Sequence, residues 1–179
     1  MFVVGGLVAA ARAEVVDRVI AVIGGQPLLA SDLRLDAALA PIDPSPVPFW
    51  TAHLTALQPD GADPAEQLSI DAVVVRVAAA DVALYQPTRE AVTERVEALR
   101  VAIGGGDAWD SFLVVNGLDD GRVESAIRRR MVVERFLLRN LQANPADVPA
   151  WTAECGALLD QLRPRIRIRR IPQRIEEAP

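Results

Sequence analysis

The chain has 179 residues, 51% hydrophobic and 24% charged, a composition that builds a packed core and excludes global disorder. Nineteen arginines and no lysine stand against 24 carboxylates, so the net charge is −5. A general nucleic-acid binder needs a basic surface and is disfavoured. The single cysteine, Cys155, excludes an internal disulfide and a cysteine zinc cluster, and the single histidine, His53, excludes any site with two histidine ligands.

Phe2 to Ala10 is an apolar run of nine residues. A membrane-spanning helix needs roughly 20. Ala11-Arg12-Ala13 follows, an A-x-A pattern of the kind that precedes signal cleavage. Residues 1–13 are therefore expected to be the remnant of a signal peptide, with cleavage before Glu14 and export from the cytoplasm. The missing basic segment fits a start assigned downstream of the true one. The expected domain is 14–172, with 173–179 a frayed tail.

Val15 to Ile23 is rich in β-branched residues, and Gly24-Gly25 separates it from Pro27-Leu28-Leu29. That pattern predicts a β-hairpin. Ser31 before Asp32 predicts a helix cap and a helix to about Ala40, because hydroxyl and carboxylate meet the unpaired N–H groups of a first turn. Pro41 to Pro48 holds four prolines and must be an extended loop. A short helix is expected over Phe49–Leu57, then a loop over Gln58–Asp63.

Asp63-Pro64 starts the next helix. From Leu68 to Leu84 it is apolar nearly all round, which predicts a central buried helix ended by Gln86-Pro87. Thr88 caps a helix with the stripe Val92, Val96, Leu99 and Ile103, whose charged face reads as a solvated, salt-bridged surface. Gly104-Gly105-Gly106 lacks the lysine and strand of a phosphate loop and reads as a helix stop. Asp107 is expected to cap a short helix holding Trp109, Phe112 and Leu113, stopped by Asn116-Gly117.

Asp119-Asp120 opens a long helix to about Gln142, with Val123, Ile127, Met131, Leu138 and Leu141 on one stripe and Ala126, Val133 and Leu137 beside it. Arg128-Arg129-Arg130 fans over about 200° of that helix and reads as surface charge. A helix from Pro149 carries Trp151, Cys155, Leu158, Leu159 and Leu162, with Cys155 a buried small hydrophobe. Arg163-Pro164 stops it. Arg165-Ile166-Arg167-Ile168-Arg169 alternates strictly, which predicts a strand with one cationic face. Its arginines read as protection of a sheet edge.

The fold class is therefore mostly α with a small antiparallel β element. A lone hairpin is marginal, so the simplest architecture pairs the C-terminal strand with it. The helix and strand over 149–171 would then return to the start of the chain.

The run Val15-Val16-Asp17-Arg18-Val19-Ile20-Ala21-Val22-Ile23, the Gly24-Gly25 turn and the Ser31-Asp32 cap resemble the opening of mature SurA chaperones. The helices to Leu141, and the returning segment from Trp151 to Ile171, follow that family's order. The resemblance implies a SurA N-terminal-like, ATP-independent periplasmic chaperone of unfolded or outer-membrane client polypeptides. In SurA-like proteins a parvulin prolyl isomerase domain follows the long helix. Here only about ten residues, Gln142 to Trp151, occupy that position, far fewer than a domain of about 100. The resemblance thus implies peptide binding without isomerase activity.

No catalytic constellation, metal site or cofactor is expected, and His53 lies in no recognisable catalytic setting. The expected peptide-binding residues are Phe49, Trp50, Leu54, Trp109, Phe112 and Trp151, with Phe49, Trp50 and Leu54 the most exposed because they follow the proline-rich loop. Expected partners are unfolded client polypeptides, with no nucleic acid and no stable membrane insertion. The alternative is a dedicated assembly subunit, which exchange of terminal elements would make a homodimer.

Overall fold

The computed structural model describes residues 17–50 and 63–172. The expected signal remnant, the tail 173–179 and most of the expected helix Phe49–Leu57 lie outside them. Strands β1 (Val19–Ile23) and β2 (Gln26–Leu29) form the hairpin, and β3 (Ile168–Arg170) joins the other edge of β1, giving the antiparallel order β2-β1-β3. The register pairs Ala21 with Arg170, Val22 with Arg169 and Ile23 with Ile168. The C-terminal strand does return to the N-terminal hairpin. It is shorter than the alternation implies, because Arg163–Arg165 continue the preceding helix as a 3-10 turn. Gly24 makes the hairpin turn at φ +55°, and a Cβ there would stand 2.7 Å from Val77 Cγ1. Handedness and close approach both require glycine.

Helix α1 (Ala30–Leu39) begins before Ser31 rather than after it. Asp32 accepts from the Leu29 amide at 3.2 Å, while the Ser31 hydroxyl and amide go to Asp17. The first-turn carboxylate holds this helix end, not a serine cap. Helix α2 (Pro64–Ala79) starts at the Asp63 cap and is buried from Gln67 to Val75, Leu68 apart. It stops at Ala79, not at the expected Leu84. Ala80 takes φ +46°, the one non-glycine with positive φ among the described residues. That reversal lets Tyr85 set its ring 5.1 Å from Phe136, and it leaves Val82 and Leu84 exposed.

Thr88, Asp119 and Asp147 cap α3 (Arg89–Ile103), α5 (Asp120–Asn140) and α6 (Val148–Leu162), each accepting a first-turn amide. Helix α4 (Gly106–Asn116) instead starts after Gly105 without a side-chain cap, so Asp107 lies within its first turn. None of the described helices is long and apolar enough to cross a membrane.

Two apolar clusters form. One lies between the sheet, α2, the C-terminal half of α5, α6 and the segment Val47–Trp50. The other joins α1, α3, α4 and the N-terminal half of α5. Helix α5 therefore serves both. Arg163 closes α6 onto α2 through a two-point contact with Asp71, Nε to Oδ1 at 2.9 Å and Nη2 to Oδ2 at 2.7 Å.

Candidate functional site

The proline-rich segment does not stand away from the body. Asp43 is buried, and its carboxylate accepts from Arg95 Nε at 2.6 Å and from Arg130 Nε at 2.7 Å. Arg95 also reaches Glu134, with Nη2 3.1 Å from Oε1. Ser45 donates to the same Glu134 oxygen at 2.7 Å. Two arginines and two carboxylates thus clamp the segment onto α3 and α5 where the two cores meet. Burying four charges is sustained only because each has a partner of opposite sign in hydrogen-bond contact. Desolvation raises the Glu134 carboxyl above its ordinary value against the pull of Arg95.

With Asp43 and Ser45 fixed, Val47, Phe49 and Trp50 turn inward. Phe49 and Trp50, expected as the most exposed aromatics, are 0% and 4% exposed and meet edge to face at 4.8 Å. Trp151 is equally closed into the first core. Trp109 is buried in the second core, where Phe112, partly buried, stacks on it at 5.8 Å. Leu54 and His53 lie outside the described residues. The expected contact aromatics are therefore split between the two cores, and Trp50 borders a cleft.

The arginine triplet is likewise not all surface. Arg130 is 1% exposed. It points inward from α5 and lays its guanidinium 4.1 Å from the Trp50 ring centroid. Arg95, expected on a solvated face, is drawn in by Asp43 and Glu134.

The Trp50 ring forms one wall of an apolar cleft of about 380 Å³. Leu33, Ala37, Ala40 and Pro41 form the α1 side, and Ala65 and Leu68 the α2 side. Asp36 and Ser69 lie at its base, with Ser69 Oγ donating to Asp36 Oδ2 at 3.1 Å. Adjoining them is a chamber of about 20 Å³, which Asp36, Trp50 and Ser69 also line, together with Arg76, Arg129 and Arg130. Arg130 Nη1 stands 3.8 Å from Asp36 Oδ1, an ion pair without a hydrogen bond. Arg130 Nη1 and Nη2 and Trp50 Nε1 are buried with no hydrogen-bond partner among the described residues. Burial raises the Asp36 carboxyl above its ordinary value, outweighing Arg130 and Ser69. Arg76 is pushed down to about 10 by its own burial, so it stays charged at neutral pH.

This arrangement can bind. A mostly apolar recess over a few convergent polar groups is the general form of a ligand site, and its volume falls within the usual range of about 300–1,000 Å³. Cys155 is buried in the first core, and desolvation pushes its thiol up to about 12. Among the described residues no group of three or more His, Cys, Asp or Glu side chains is placed to hold a metal.

Asp36, Asp43, Ser69, Arg95, Arg130 and Glu134 were not singled out by pattern. A signal was present for two of them. Val123, Ile127, Arg130, Glu134 and Leu137 follow one another at spacings of 4, 3, 4 and 3, so the two charged residues occupy an apolar stripe of α5.

Searches against protein-family models, curated proteins and solved structures find no match to this chain.

Proposed function

We propose that the protein is an exported, ATP-independent chaperone-like module that binds unfolded polypeptide segments in the cleft between α1 and α2. The observation that carries this reading is the cleft itself. Seven of its nine lining residues are apolar, and it is open to solvent on a protein of net negative charge. A recess of that kind suits side chains that unfolded chains expose and folded ones hide. Further apolar surface lies at the ends of α3 and α4, where Val101, Val114 and Val115 are 68%, 80% and 82% exposed. The likeness of the N-terminal run to SurA chaperones supports the same reading. Holding a client needs no catalytic group, because binding lowers the free concentration of the aggregating species by mass action.

The test is light scattering of a denatured outer-membrane protein diluted into buffer, with and without residues 14–179. Dose-dependent suppression near stoichiometry, beyond an inert acidic control, is expected. Ala37→Glu and Ala65→Glu, both at exposed positions of the cleft rim, should abolish it while leaving the unfolding midpoint unchanged. No suppression by the wild type would overturn the general-chaperone reading in favour of a dedicated assembly partner.

A further inference from the structure

The cleft and the chamber adjoin, since Asp36, Trp50 and Ser69 line both. The cleft is mostly apolar. The chamber is lined by Arg130, whose Nη1 and Nη2 have no hydrogen-bond partner among the described residues, and by Trp50, whose Nε1 has none, with the Asp36 carboxylate 3.8 Å from Arg130 Nη1. An unmet buried donor costs about as much as a lost hydrogen bond. Such groups take an oxygen from a water or from a bound molecule. The chamber volume limits the size of that group. About 20 Å³ exceeds the roughly 10–15 Å³ that one water-sized group needs, and it is too small for a phosphate or a nucleotide.

We infer that this recess is an anchor subsite for one large apolar residue of a bound polypeptide, with the side chain in the cleft and the main-chain carbonyl of that residue turned inward to Arg130 and Trp50. This rests on the polypeptide-binding reading and names what that reading leaves open, the unit recognised. A carbonyl presents a single oxygen, which the chamber can hold, whereas the two oxygens of a carboxylate need more room. The fixed guanidinium is suited to the task. Its Nε is held by Asp43 and its face by Trp50, so the two Nη groups are presented without further loss of side-chain freedom. The recess should therefore select residues such as Leu or Phe, reject Gly for want of apolar contact and reject Asp for its charge.

The experiment is a ¹⁵N-detected titration of the full chain with acetylated, amidated tripeptides Gly-X-Gly in which X is Leu, Phe, Gly or Asp. The Leu and Phe peptides should shift the Trp50 indole and Arg130 Nε resonances in a saturable way, at least tenfold more tightly than the Gly or Asp peptides. Trp50→Phe keeps the ring over Arg130 and removes one donor, so it should weaken the Leu peptide about fivefold. Ala37→Glu should block it. Equal binding of all four peptides, shifts confined to other tryptophans, or saturable binding of inorganic phosphate at the same resonances would each overturn the inference. So would tighter Leu-peptide binding by the double variant Leu54→Ser, Leu57→Ser, which would make the chain's own residues the occupant. Suppression of aggregation without these shifts would reject the anchor and leave the chaperone reading standing.

Discussion

Arg130 covers the face of Trp50, 4.1 Å from the ring centroid, while its Nε is tied to Asp43 at 2.7 Å. One side chain thus joins α5, the proline-rich segment and the wall of the cleft. Arg130→Met keeps the bulk and removes the charge. Asp43 then keeps Arg95 but loses its second partner. Removing one member of a buried pair costs about 3–5 kcal/mol. Urea denaturation should show that loss. A cycle with Asp43→Asn should be strongly non-additive, because the two residues share one contact. Additive effects would mean that the pair is not coupled.

The Asp36 carboxyl has its pKa raised in the folded state. Folding therefore takes up protons between the unfolded value, about 3.9, and the higher folded one. Stability falls as pH rises through that window, and the loss is complete above the folded value. Glu134 is raised for the same reason and acts in the same direction. Asp17, lowered by its hydrogen bonds from Ser31, acts in the opposite direction. Asp36→Asn removes one such loss. Its melting temperature should change less than that of the wild type between roughly pH 4 and 7, and match or exceed it at pH 7. A variant clearly less stable at pH 7 would show that the charged Asp36 contributes net attraction to Arg130.

The helix starts at Asp63, Thr88 and Asp119 were legible because capping is local: each side chain accepts from an amide two or three residues on. The cap expected at Asp107 and the α2 end expected at Leu84 were not found. The strand pairing followed from the need of a hairpin for a third partner. The cleft was not legible, because its two walls are 33 residues apart at Asp36 and Ser69, and only packing brings them together. The buried charges were missed for a related reason. Arg95 and Arg130 look like solvated charge until Asp43, 52 and 87 residues away, is placed between them. The inward turn of Trp50 depends on that same clamp, so expecting it at the surface failed together with the reading of the arginines.

Gly24 meets two independent demands, and they can be separated. At φ +55° an alanine is strained by about 1–2 kcal/mol, and its Cβ would stand 2.7 Å from Val77 Cγ1. Gly24→Ala should therefore destabilise by more than the strain alone, about 2–4 kcal/mol with the overpacking included. Val77→Ala removes the clashing methyls but leaves the strain. In the Gly24→Ala background, Val77→Ala should thus cost less than it does alone, or even restore stability. Equal costs in both backgrounds, measured by denaturant midpoint, would show that the turn moves away from α2 instead.

Cys155 separates local opening from global unfolding. Its thiol is fully buried on the α6 face that packs in the first core, and desolvation holds its pKa up at about 12. At pH 8 almost no native molecule carries the thiolate, which is the form that attacks a disulfide reagent. Reaction with Ellman's reagent should then need unfolding, at a rate that rises with urea as global stability falls. Arg163→Ala cuts the two-point contact of α6 with Asp71 and offers a control. If α6 can detach by itself, this variant should speed labelling more than its change in global stability accounts for. If the first core opens only as a whole, the two changes should match. Rapid labelling of the wild type in native buffer would contradict the burial of the thiol.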